Sequence, residues 1–203
     1  MKNIANILAL TIVFGASSVY AADNNYYIGL GYGSTDSNSN ITNTTGSIRL
    51  DESDSGFKIF AGYQFNKNIA VEGFYTDLGS FSLTGDADET YTLDGQALAF
   101  LTDGTSTLDS TTFGVAGVFS FPINETVSPY AKLGFHRWEM EGNQHLLASS
   151  LTNDDGTDPM YGLGINVSFN NNLQLRIEYE RLDIDSQYAS HVDYTSVGLA
   201  YSF

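Results

Sequence analysis

Apolar side chains recur at every second position along most of the chain, and helical periodicity is nearly absent. Eight such runs stand out, at about 25–34, 56–65, 69–78, 111–121, 129–140, 160–169, 173–182 and 192–203. Each is close to the ~9–11 residues that a tilted membrane-spanning strand requires. Each also keeps one apolar parity, as in Phe57, Ile59, Ala61, Tyr63 and Phe65, or Leu173, Leu175, Ile177 and Tyr179. An even number of antiparallel strands closes a barrel with both ends on one side.

Alternation alone leaves the direction of the apolar face open, because a soluble sandwich with a polar exterior has the same pattern. The opposite parity decides it. That face carries Gly29, Gly31, Gly33, Gly62, Gly114, Gly134, Gly162, Gly164 and Gly198, interleaved with Lys58, Glu72, Lys132, Asn166, Gln174, Arg176 and Glu178. A face bathed in water would carry Thr, Lys or Glu in place of strand-weakening glycines. The lumen of an eight-stranded barrel has room for only a few large side chains, so small residues among a few ions fit its interior. The apolar parity is then turned to lipid. The fold class this predicts is all-β, an eight-stranded antiparallel up-and-down transmembrane β-barrel.

Turn lengths agree. The gaps at 66–68, 122–128 and 170–172 are short, whereas those at about 35–55, 79–110, 141–159 and 183–191 are long. Short turns on one rim and long loops on the other are the outer-membrane pattern. Lipid-facing aromatics fall at two levels: Phe65, Phe121, Phe169, Tyr201 and Phe203 toward the short turns, and Tyr32, Phe57, Tyr75, Phe113, Tyr161 and Tyr179 toward the loops. Interfacial girdles explain that placement.

Charge sharpens the picture. The chain has 24 acidic and 8 basic residues, a formal charge of -16 and no cysteine. Such a surface repels phosphate backbones, which argues against nucleic-acid binding, and the absence of cysteine excludes disulfides and thiolate metal sites. Nineteen of the 24 acids fall in the long loops or the strand ends beside them. Acidic stretches at 51–56, 85–90 and 153–158 resemble fragments of calcium loops but lack the full ligand spacing, so solvated loop charge is the plainer reading and no metal or cofactor is expected. At the N-terminus Lys2 precedes an apolar stretch from Ile4 to Phe14 and small residues before Asp23. This reads as a secretory signal peptide, residues 1–21, cut after Ala21, with residues 22–203 as the barrel domain.

The segment GYQFNKNIAVEGFYTDLG, 62–79, resembles the second hairpin of the OmpA-type transmembrane domain, with its inward glutamate at Glu72. FSFPINETVSPYAKLGFHRW, 119–138, is similar to that family's next periplasmic turn and a strand with an inward basic residue, here Lys132. LQLRIEYERL, 173–182, resembles its seventh strand, where an arginine, here Arg176, pairs with the glutamate. The closing YTSVGLAYSF resembles the C-terminal signal, Tyr201 and Phe203, that outer-membrane insertion machinery reads. The resemblance implies a Gram-negative outer-membrane location, assembly through periplasmic chaperones and that machinery, and contact with membrane lipid and lipopolysaccharide. Two positions depart from it. The family's inward lysine on the fourth strand falls at Val118 and its inward acid on the sixth at Asn166, so the interior network is expected to be smaller. No periplasmic peptidoglycan-binding module is expected after the eighth strand, so a wall-tethering role is not expected to carry over.

Glu72, Lys132 and Arg176 lie at similar depth on outward-running strands, so they are expected to meet, with Lys58 and Glu178 beside them. Such a network is either a static plug or a gate for small solutes; an interior just filled by side chains favours the plug. His136, His145 and His191 are the candidates for a general base, since some small outer-membrane barrels modify lipid A, but no motif ties them to a serine and an acid. In the second long loop Asp94-Gly95 reads as a hairpin turn, with Leu98, Phe100 and Leu101 exposed at its tip unless covered. The expectation is a monomeric, non-enzymatic barrel for envelope integrity and surface interaction or adhesion, with a host or cell-surface ligand at its loops. A narrow pore, a lipid A-modifying enzyme and a secreted lipocalin-like barrel with its apolar parity inward are the alternatives.

Overall fold

The computed structural model describes residues 26–39, 41–42, 45–93, 96–142, 154–186 and 188–203. The expected signal peptide, His145 and the Asp94-Gly95 turn lie outside them. Eight long strands form the wall: β1 (Tyr26–Ser39), β4 (Ser53–Asn66), β5 (Ile69–Gly85), β8 (Gly104–Ser120), β9 (Val127–Gly142), β10 (Asp154–Ser168), β11 (Leu173–Asp183) and β12 (Ala189–Ser202). Each pairs antiparallel with its sequence neighbour in the wall, and β1 meets β12 from Tyr27↔Ser202 onward, which closes the cylinder. The expected fold class is borne out. Four short strands lie on the loop side: β2 (Ile41–Thr42), β3 (Arg49–Asp51), β6 (Thr90–Leu93) and β7 (Gln96–Ala99). Of these, β3 pairs with β5, and β2, β6 and β7 form a separate small sheet.

The apolar parity faces outward. Ile59, Leu163 and Leu199 are 48%, 65% and 43% exposed, while Glu72 and Arg176 are 1% and 4% exposed. The lipocalin alternative is thereby overturned, because its apolar residues would converge on a common interior. Both aromatic levels are exposed on the outer surface.

The short turns are built on asparagine. Asn66, Asn124 and Asn170 each accept two backbone N–H groups with Oδ1, from residues two and three positions on, at 2.8–3.0 Å. The side-chain carbonyl thus mimics a backbone acceptor and closes the reversal locally. Asn68 and Asn172 then donate from Nδ2 to the carbonyls of Ser120 and Ser202, tying the first and third turns to a neighbouring strand.

On the loop side the strands run beyond their expected ends. β5 continues to Gly85 and β8 begins at Gly104, inside the segment read from sequence as loop. A bulge makes this possible. The β5–β8 register shifts between Asp77 and Ser80, with Gly79 at φ +75°. Inward residues before it are even-numbered, Glu72, Phe74, Thr76 and Leu78; after it they are odd, Phe81 and Leu83. The extra residue in one strand swaps the faces. Above this level Leu108, Trp138, Met140, Met160 and Leu182 also point inward and are buried, while Thr111, Arg137, Glu139 and Asp155 lie on the outer side. Polarity therefore inverts along the strands: apolar outside where lipid surrounds the wall, apolar inside where water does. In the second loop Phe100 is covered, its ring tilted against Tyr91 with centroids 5.8 Å apart, whereas Leu101 is exposed.

Loop positions are held by two carboxylates. Asp54 accepts N–H bonds from Ser80 at 2.8 Å and Ser55 at 2.7 Å, which hold its carboxyl below the usual range. Glu89 joins the second loop to the first through the N–H groups of Asp86 and Ser47, with the same effect on its acidity. A lowered folded-state value stabilises fully above the ordinary carboxylate pKa of about 4 and fades as pH falls through the lower folded value. Protection factors of the Ser47, Ser80 and Asp86 amides, taken relative to intrinsic exchange, should therefore hold above the ordinary carboxylate range and fall as the pH drops through the lowered folded values of the two carboxylates.

Glycine packing supplies a second prediction. A Cβ at Gly134 would sit 2.2 Å from the Val115 carbonyl oxygen, whereas one at the lipid-facing Gly73 would meet only the Gly114 oxygen at 3.9 Å. Overpacking typically costs ~1–3 kcal/mol. Gly134→Ala should lower the unfolding free energy from urea titration by that scale, and Gly73→Ala should leave it nearly unchanged.

Candidate functional site

At mid-lumen the wall brings together three cations and three carboxylates: Lys58 from β4, Glu72 from β5, Lys132 from β9, and Arg176, Glu178 and Glu180 from β11. All six are buried. Their formal charges sum to zero, the condition for carrying ions where solvent cannot screen them. Glu72 bridges Lys132 and Arg176, each at 2.6 Å. Lys58 binds Glu178 at 2.6 Å and also Glu180. Lys132 further contacts Glu178 at 2.5 Å and Glu180 at 3.2 Å, so it lies at the centre of the layer.

Neutral donors and rings complete the layer. The Tyr27 hydroxyl donates to Glu72 at 2.9 Å and the Tyr130 hydroxyl to Glu178 at 2.6 Å. Arg176 donates from Nε to Asn166 Oδ1 at 3.2 Å and lies 4.3 Å from the centroid of the Phe60 ring. The glycines explain how these rings fit. Tyr27 is cross-strand to Gly62, Phe60 to Gly29 and Tyr130 to Gly164, and in each pair a Cβ on the glycine would lie within 2.5 Å of the ring. Each ring lies flat over a glycine, and for the two tyrosines this carries the hydroxyl to its carboxylate.

The structure thus joins the five lumen residues marked from sequence, Lys58, Glu72, Lys132, Arg176 and Glu178, and adds Glu180, Tyr27 and Tyr130. Glu180 continues the parity of Arg176 and Glu178, which was signal enough to find it. Pairing Tyr27 with Gly62 requires the inter-strand register, which no local pattern contains. Tyr201 and Phe203 lie away from this layer, exposed on the outer surface, with ring centroids 5.2 Å apart.

Above the ions His136 is buried, with Nδ1 2.7 Å from Thr112 Oγ1 and Nε2 2.9 Å from the Asp183 carbonyl oxygen. Trp138 donates to Asp158 at 2.7 Å. His191 pairs with Ser190 at 3.1 Å, far along β12 from the ion layer. Below the ions a cavity of about 370 Å³ opens between the short turns. Val118 and Asn166, the two positions that depart from the family pattern, both line it.

A narrow antiparallel barrel, greasy outside, neutral-ionic within, with short turns on one rim and long loops on the other, is an outer-membrane β-barrel of Gram-negative bacteria. The chain belongs to the outer membrane protein beta-barrel domain family, whose model matches residues 7–203. It is 26% identical over 189 residues to outer membrane protein A of Salmonella typhi, covering 89% of this chain and 48% of that protein. The chain thus spans about half the length of the curated relative it matches. Its fold is like that of OprG from Pseudomonas aeruginosa, with a TM-score of 0.61, 15% identity, and coverage of 90% of this chain and 99% of that one. It is also like that of Ail, the attachment invasion locus protein of Yersinia pestis, with a TM-score of 0.53, 21% identity, and coverage of 90% and 100%. A further structure of Ail holds the heparin analogue sucrose octasulfate.

Removing one member of the ion layer strands its partners. Arg176→Met leaves one uncompensated negative charge and should cost ~3–5 kcal/mol of folding stability, read as a urea midpoint in lipid vesicles. The double variant Glu72→Gln/Arg176→Met restores neutrality and should recover more than half of the loss.

Proposed function

We propose that the chain is a non-enzymatic structural barrel that serves envelope integrity and, through its acidic loops, surface interaction. The observation that carries this reading is a double seal in the lumen. A solute moving through would have to part the neutral ion layer and also the buried Trp138, Met140, Met160 and Leu182 above it. A lipid A-modifying role is disfavoured because His136 and its partner Thr112 are both buried inside the sealed lumen, out of reach of a lipid substrate. In this reading residues 1–21 are the cleaved leader, and Tyr201 and Phe203 are offered to the insertion machinery.

The loop side sets the partner. Its basic residues are Arg49, Arg137 and Arg181, against nineteen acids. Two of the three are already paired, Arg137 with Asp155 at 2.5 Å and Arg181 with Asp193 at 2.7 Å. A polysulfate of the kind seen with Ail would be repelled by this rim. The partner we infer is cationic, or is lipopolysaccharide phosphate bridged by divalent cations.

Alanine replacement across residues 91–101 should reduce adhesion and alter phage sensitivity of expressing cells, while the folded barrel still migrates faster unheated than heated. In planar bilayers the wild-type protein should give no steady conductance. Steady steps that change in Glu72→Ala would overturn the sealed-barrel reading in favour of a narrow pore.

A further inference from the structure

The cavity below the ion layer is unlike the rest of the lumen. Its walls mix amides and hydroxyls, such as Gln64 and Ser168, with the apolar Val118 and Pro122; Lys67 and Glu125 of the short turns flank its mouth, and it reaches the periplasmic end of the barrel. Of the six ions in the layer, only Arg176 lines it. The roof therefore presents a cation, although the layer as a whole is neutral. Arg176 spends Nη1 on Glu72 and Nε on Asn166, and its Nη2 has no hydrogen-bond partner among the described residues. The guanidinium is held in place by Phe60 and Glu72, so this remaining donor is pre-oriented and costs little to organise. Asn166 gives up Oδ1 to Arg176, which directs its Nδ2 donors elsewhere.

We propose that this vestibule is a binding site for a small hydroxylated carboxylate of the sugar-acid class, entering from the periplasm. The carboxylate takes the free edge of Arg176 and the Asn166 amide, and the hydroxyls exchange hydrogen bonds with the serine and glutamine walls. A volume of about 370 Å³ accommodates one hexuronate with several waters. It dead-ends at the ion layer, so the site holds its ligand without passing it on.

The test uses the mature barrel in phosphatidylcholine nanodiscs, both faces accessible, with galacturonate and galactose as probes that differ only in the carboxylate. Backbone amide shifts at Asn166 and Arg176 should titrate with galacturonate at about millimolar affinity, the scale set by ~0.3 kcal/mol per heavy atom. Galactose should bind at least tenfold more weakly. Asn166→Asp, which sets a second carboxylate beside Arg176, should weaken galacturonate at least tenfold. Ser168→Phe, which fills the cavity from the wall, should abolish binding while the folded form still resists SDS unheated. Equal binding of both sugars, no titration in the wild-type barrel, or galacturonate binding unaffected by Asn166→Asp would each overturn the proposal.

Discussion

Six charges share one buried layer of the lumen, and they are tolerable only because they sum to zero and touch one another. A single ion in that position would cost several kcal/mol, and a matched set still gains little over an apolar filling. What the layer supplies is definition. Lys132 reaches carboxylates that come from β5 and β11, and Lys58 ties β4 to β11, so the ions fix distances across the bore that backbone ladders between neighbours cannot. The glycines cross-strand to Tyr27, Phe60 and Tyr130 serve the same layer by letting the rings lie against the wall. Much of the inward parity is thus a mounting for this cluster.

The second organising fact is that the surroundings change along each strand while the alternation continues. On β9 the outward series runs Leu133, Phe135, Arg137, Glu139, and the inward series Lys132, His136, Trp138, Met140. Hydrocarbon rewards an apolar exterior at the first pair, water a polar one at the last, and the interior takes the complement each time. The upper part of the molecule is consequently packed like a small soluble β-protein standing on a membrane barrel. The bulge at Gly79 sits where the two regimes meet on β5 and turns Phe81 and Leu83 into the upper core.

This division also decides what could be read from the sequence. Period two, small residues on one parity and unequal turn lengths specify the barrel and its inside face, because each is a local signature of a wall with lipid on one side. Glu72, Lys132 and Arg176 follow from parity and depth alone. Phe81 and Leu83 do not, since a one-residue slip at Leu78 and Gly79 reverses their faces and leaves the segment looking like irregular loop. The Tyr27 and Tyr130 contacts were equally hidden, because they depend on which residue of the adjacent strand lies opposite. The periplasmic cavity is a matter of volume: Val118 and Asn166 mark smaller or neutral groups at charged positions, but only assembled walls reveal that the space stays open.

The seam between β1 and β12 has a consequence for biogenesis. Tyr27 finds its partner in Ser202, so the ring cannot shut until β12 has been delivered to β1. Every shorter state has two raw strand margins with unmet donors and acceptors, next to side chains that repel water. Such a species is sticky by construction, and joining β1 to β12 also carries the largest loop entropy of any pairing in the wall. Exposure of both margins until β12 docks on β1 is therefore imposed by the topology itself, independent of what the finished cylinder does at the cell surface.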